Sequence, residues 1–191
     1  AAFSFFGKVQ QATRDHLSAL GDSVLNVLVA HGIARRLELL RSRLAAASNP
    51  AMILGPGTDD AAGWDGATQL AEKLAIPVFI ASSPSRCPFP TRHPNYRGIL
   101  PSDIPGVARA LEGHDLVVAF GAAIFRYHVY AEGDYLPAGA ELWNVTSDPD
   151  EAARAAIGRA LIGNPSDALA RLARTTPTSG RAPLAALAGP R

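Results

Sequence analysis

The chain reads as a doubly wound α/β domain, with a mostly parallel sheet of about five to six strands and helices on both faces. Two observations predict this. Short apolar runs bounded by turn residues, such as Leu116 to Phe120 before Gly121, have the form of strands buried on both faces. These runs alternate with segments of helical period, and such alternation places the strands side by side in parallel with right-handed crossovers.

The elements follow in order. Val9, Ala12, His16, Leu17 and Leu20 recur at helical spacing up to Gly21, and Val24 to Val29 reads as either strand or helix. Ile33 to Ala47 is a firmer helix, with Leu37, Leu40 and Leu44 on one face and Arg35, Arg36, Arg41 and Arg43 solvated on the others. Pro50 to Gly55 is a short buried strand. It is followed by the turn Pro56-Gly57, a cap region at Thr58-Asp59-Asp60, and a helix over Ala61 to Leu74. Ile76 to Ala81 is the next strand. The cycle repeats with helix Ile104 to Leu111, strands Asp115 to Phe120 and Glu141 to Val145, helix Pro149 to Ile157, strand Ala160 to Ile162 and helix Pro165 to Leu172.

Two stretches fall outside this pattern. Ser82 to Ser102 carries five prolines, which exclude a helix interior or a central strand, so it reads as a long ordered loop stiffened before it meets a partner. The tail after Thr175 mixes proline, glycine and small residues and reads as linker rather than packed element.

Composition narrows the function classes. A formal net charge of +1 leaves no basic field to recruit nucleic acid or an anionic membrane. No run approaches the roughly 18 apolar residues of a membrane span, and the start lacks the features of a signal peptide. One cysteine, Cys87, cannot build an internal disulfide framework or a multi-cysteine metal cluster, so a reducing, cytoplasmic setting is expected. The only methionine, Met52, lies inside a predicted strand, and the chain reads as a piece of something longer.

Three places could carry chemistry. The Gly55-Pro56-Gly57 turn suggests a phosphate cradle, but it lacks the three-glycine fingerprint and sets Asp59 and Asp60 where phosphate would sit; helix capping is the simpler reading. Cys87 and His93 could be nucleophile and base, although nothing nearby activates the thiol, and a structural cysteine fits better. Phe125, Arg126, Tyr127, His128 and Tyr130 follow the strand that ends at Phe120, at the sheet edge where ligands gather in such folds. The plainer alternative is that these aromatics cover the sheet edge and His128 is an ordinary satisfied histidine.

The motifs carry a resemblance. SNPAMILGPGTDDA, LAEKLAIPVFIA, RCPFPTRHPNYRG, LEGHDLVV, GAAIFRYHVY and VTSDPDEAARA occur in the order seen in the central, Rossmann-like domain of the benzoylformate decarboxylase family of thiamine-diphosphate-dependent enzymes. The likeness runs from about Ser48 to Leu172. It implies residues 33–174 as the central domain, 1–32 as an interdomain segment or extension, and 175–191 as a linker-like tail. It implies a parent that is a 2-oxo acid decarboxylase, turning benzoylformate into benzaldehyde and CO2 in a homotetramer.

In that family thiamine diphosphate and Mg2+ are held by N- and C-terminal domains, the latter through a GDG motif and an asparagine pair. Here Gly133-Asp134 is followed by Tyr135, and no asparagine pair occurs. The resemblance therefore implies no cofactor-binding and no metal-binding residues in this stretch, and a fragment inactive alone. It places the family's proton-transferring histidine on His128, with Arg126 and Tyr127 positioning and packing. Asn95 stands where a small residue or cysteine is more usual, and Trp143 stands in the strand after the histidine loop. The alternative reading is a nucleotide-binding or interaction module of the same fold.

Overall fold

The computed structural model describes residues 32–123 and 131–187. The chain divides between Arg36 and Leu37 into two units, and of the first only residues 32–36 are described, as helix. The helical spacing from Val9 to Leu20 and the segment Val24 to Val29 lie outside the described residues.

Residues 32–46 are helical (α1), and Leu37, Leu40 and Leu44 are buried as their spacing predicts. Six strands follow: β1 (Pro50–Leu54), β2 (Val78–Ile80), β3 (Tyr96–Ile99), β4 (Leu116–Phe120), β5 (Glu141–Thr146) and β6 (Arg159–Ile162). Their order is β3-β2-β1-β4-β5-β6, and every pairing is parallel. The expectation of a mostly parallel sheet of five to six strands is met. β1 and β4 are fully buried in the middle, with Met52 beside Val118 and Ile53 beside Ala119. Pro50 is tolerated in this central strand because it is the first residue, where its missing N–H falls at the end of the ladder.

The connecting helices are α2 (Ala61–Leu74), α3 (Ile104–Ala110), α4 (Pro149–Arg154) and α5 (Pro165–Thr175). Each starts on a side chain that accepts from its first-turn amides: Asp60 from Gly63, Asp103 from Gly106, Asp148 from Asp150 and Glu151, and Asn164 from Ser166 and Asp167. Such caps contribute about 1 kcal/mol each, and proline early in α3, α4 and α5 gives up only an amide that has no helical partner.

Alternation along the strands makes two cores. Ala51, Ile53, Val117, Ala119 and Leu142 pack on one face with Val107 and Leu111 of the α3 segment and Leu136. Met52, Leu54, Val118 and Phe120, also fully buried, point to the other face, where α2 and α5 pack together.

Two expectations need correction. The stretch Ser82 to Ser102 is not all loop, since Tyr96–Ile99 forms β3. It escapes a pattern search because it is only four residues long, lies at the sheet edge with Tyr96 and Arg97 half-buried and Ile99 exposed, and joins β2 through an irregular register between Val78 and Phe79. Second, α4 stops at Arg154, because Ala155 is already extended, and α5 runs on to Thr175. The described part of the tail, through Leu187, carries no helix or strand, and its Ser179 and Arg181 are hydrogen-bonded to the domain.

Candidate functional site

In a doubly wound sheet the natural ligand crevice lies beyond the carboxyl ends of the two strands whose connections leave in opposite directions. Here those strands are β1 and β4. The loops that leave them meet backbone to backbone. The Gly55 amide donates to the Phe120 carbonyl at 3.0 Å, and the Gly57 amide to that of Gly121 at 3.0 Å. Gly121 has φ +58°, and a Cβ on Gly55 would lie 2.3 Å from its carbonyl oxygen. A Cβ on Gly57 would lie 2.8 Å from the Gly121 Cα. These glycines permit close approach of two strands' ends rather than of a phosphate.

Asp60 completes the picture. One carboxylate oxygen accepts the Gly63 amide at 2.8 Å and the other the Ser166 hydroxyl at 2.7 Å, joining the N-terminal turns of α2 and α5. The Ser166 hydroxyl, then the Gly63 amide, hold this carboxyl below the usual carboxylate range. The amide that would bind an anion at the start of α2 thus already faces a carboxylate, and the nucleotide reading of Gly55-Pro56-Gly57 is not favoured.

His128, with Phe125, Arg126, Tyr127 and Tyr130, lies outside the described residues. Those on either side are anchored at the carboxyl edge of the sheet. Before the segment, Gly121 packs on Gly57 and Ala122 is fully buried. After it, Gly133 rests on Pro105 and Ile104 in the first turn of α3, and Leu136 joins the core.

The loop before β3 brings Cys87 and His93 to different partners. The Cys87 thiol donates to the Phe89 carbonyl at 3.2 Å. His93 Nδ1 accepts the Asn95 amide at 3.2 Å, which makes Nε2 the protonated nitrogen facing Glu72 at 3.1 Å. The ring also stands edge-on to Phe89, with centroids 5.1 Å apart. With both nitrogens engaged, His93 is not arranged as a base for Cys87, and both residues serve the loop.

Asn95 is buried and donates to the Ala71 and Ile76 carbonyls at 2.9 and 2.7 Å, closing the end of α2. Sequence reasoning marked the position but could not see this role. Nor could it find the link between Asp59 and Arg86 at 2.9 Å, with Trp64 donating to the same carboxylate at 3.3 Å. Its only sequence signal is that β1 and β2 end side by side.

At the opposite edge of the sheet Glu141 gathers Arg43, Arg159 at 3.5 Å and the Trp143 indole at 2.9 Å, with the Arg159 guanidinium 5.7 Å from the Trp143 ring centroid. Burial alone would raise the Glu141 carboxyl, but these partners, Arg43 foremost, hold it below the usual range. Trp143 is thereby accounted for as packing. Among the described residues no three His, Cys, Asp or Glu side chains are grouped to hold a metal ion. The turn amides at the crevice, already bonded to carbonyls and a carboxylate, offer a diphosphate no cradle.

Comparison with known proteins agrees with this architecture. Residues 37–172 match the family described as thiamine pyrophosphate enzyme, central domain. Over 128 residues the chain is 56% identical to benzoylformate decarboxylase of Pseudomonas aeruginosa, covering 67% of this chain and 24% of that protein. Among solved structures, a thiamine diphosphate-dependent 4-hydroxybenzoylformate decarboxylase from Rhodococcus jostii superposes with a TM-score of 0.78 at 48% identity. It covers 81% of this chain, which spans 29% of that one. Benzoylformate decarboxylase from Polynucleobacter necessarius gives 0.73 at 30% identity, covering 76% of this chain and 27% of that one. The chain spans about a quarter of the length of the curated relative, 24%, and the family match takes in all six strands of the sheet. With the family match extending from α1 through most of α5, the chain belongs to the thiamine pyrophosphate enzyme central-domain family.

Proposed function

We propose that this chain is the central domain of a thiamine-diphosphate-dependent 2-oxo acid decarboxylase acting on benzoylformate or a ring-substituted relative. In this reading residues 33–174 are the domain proper, and N- and C-terminal domains complete the site in a cytoplasmic homotetramer. The observation that carries the proposal is the 56% identity to a benzoylformate decarboxylase over 128 residues, with 48% to a 4-hydroxybenzoylformate decarboxylase beside it. No helix of the described residues is long and apolar enough to cross a membrane.

The described residues do not suit a diphosphate or its Mg2+, so in this proposal both are held by other domains and the stretch alone is inactive. What the chain adds is His128, an imidazole that can take up and return a proton at the reacting substrate. Both anchors of its segment at the carboxyl edge, Gly121 on Gly57 and Gly133 on α3, support that placement.

The test uses the full-length protein with thiamine diphosphate and Mg2+. CO2 release from benzoylformate or 4-hydroxybenzoylformate is expected, and its absence with both acids removes the substrate assignment. His128→Ala should lower kcat by about 100-fold or more while moving KM far less, as loss of a proton-transfer group does. An unchanged kcat removes His128 from the reaction.

A further inference from the structure

We propose that residues 177–187 are a fixed strap of the domain, latched by Arg181 across the C-termini of α1 and α2. After α5 the chain doubles back. The Ser179 amide donates to the Lys73 carbonyl at 3.0 Å and its hydroxyl to that of Leu74 at 2.8 Å. Arg181 then spends its donors on main-chain carbonyls. Nη1 reaches Leu74 at 3.0 Å, Nε reaches Ser48 at 3.2 Å, and Nη2 reaches Ala47. Farther on, Arg97 of β3 donates to the Ala185 carbonyl at 3.3 Å.

The Lys73 and Leu74 carbonyls close α2, among those a helix leaves without intrahelical partners and at the negative end of its dipole, while Ala47 and Ser48 follow directly on the last turn of α1. One planar guanidinium serves two helix ends at once, a geometry that a lysine's compact ammonium does not reproduce. The receiving side is held from behind: Asp115 accepts the Ser48 and Asn49 amides at 2.6 and 2.9 Å, so the peptide at Ser48 is gripped on both sides. Pro177 and Pro183 restrict the unlatched tail and reduce the entropy lost on docking. The described tail is thereby led from the end of α5 past the ends of α1 and α2 toward β3, where Arg97 meets Ala185, and Arg181 fixes that course.

Amide hydrogen exchange on the 191-residue chain tests this without a variant. The Ser179 amide should exchange at least about 100-fold more slowly than in an unfolded peptide, a level that marks a closed local structure. Exchange at the unfolded rate overturns the strap. In Arg181→Ala, cleavage by a broad-specificity protease between residues 177 and 187 should accelerate about tenfold or more, with Arg181→Lys in between, because cleavage follows the population of the open form. Equal cleavage of all three chains removes Arg181 as the latch.

Discussion

Gly55 has a carbonyl where any other residue would put a methyl group. A Cβ there lies 2.3 Å from the Gly121 oxygen and 2.5 Å from the Ala122 Cα, and both neighbours are backbone, which cannot swing aside as a side chain can. Gly55→Ala is expected to cost about 3 kcal/mol, the upper range for overpacking, since β1 and β4 would have to part at their ends. Urea denaturation measures it, and a cost below about 0.5 kcal/mol, the ordinary scatter of surface changes, would show that the loops separate freely. A sequence reader sees glycine in a turn at this position; only the facing loop reveals why nothing else fits. Asn95 makes the same point with polarity, as its two carbonyl partners lie 24 and 19 residues away.

Among the elements, the pairing of α2 with α5 shows local preference and tertiary packing in conflict. Gly66 sits inside α2, where alanine would gain up to about 1 kcal/mol in helix propensity. Yet a Cβ at Gly66 would lie 2.8 Å from the Ala170 amide nitrogen and 3.0 Å from the Leu169 carbonyl carbon of α5. Collision with helix backbone outweighs that gain, so Gly66→Ala should lower the thermal midpoint rather than raise it. A raised midpoint would mean that α5 slides without loss. Helices and buried strands were legible from apolar period and turn residues to within a few residues of their ends. β3 was not, because a four-residue edge strand draws its identity from the β2 backbone beside it.

At the scale of the molecule, Asp60, Asp115 and Glu141 couple folding to pH. Asp60 is held low first by Ser166. At Asp115 burial opposes, but the Ser48 and Asn49 amides and Arg181 prevail; at Glu141 burial again opposes, and Arg43, Trp143 and Arg159 prevail. Each folded carboxyl titrates below its unfolded counterpart, so between the two values the unfolded chain binds more protons. The stabilisation is therefore complete above the unfolded pKa of about 4 and is lost as pH falls through the lower folded values. The urea midpoint should hold steady from pH 7 to about 5 and fall below about 4, and in Asp115→Asn the chain should start lower and decline less steeply. A wild-type midpoint that stays flat to pH 3 would show that these contacts add nothing.

Sequence by itself determined the doubly wound class, the order of nearly all elements, the cap of α2 and the family, because apolar period, turn residues and motif strings are written in neighbouring residues. It also singled out His128, which lies outside the described residues and stands on the resemblance. The tertiary structure decided what the turns and tail are for. Asp60 meets Ser166 across 106 positions and Arg181 meets Ala47 across 134, and no local pattern encodes such pairs. They exist because the strand order brings the two helix starts together at one edge of the sheet and the two helix ends together at the other, where unpaired backbone groups select whichever side chain arrives.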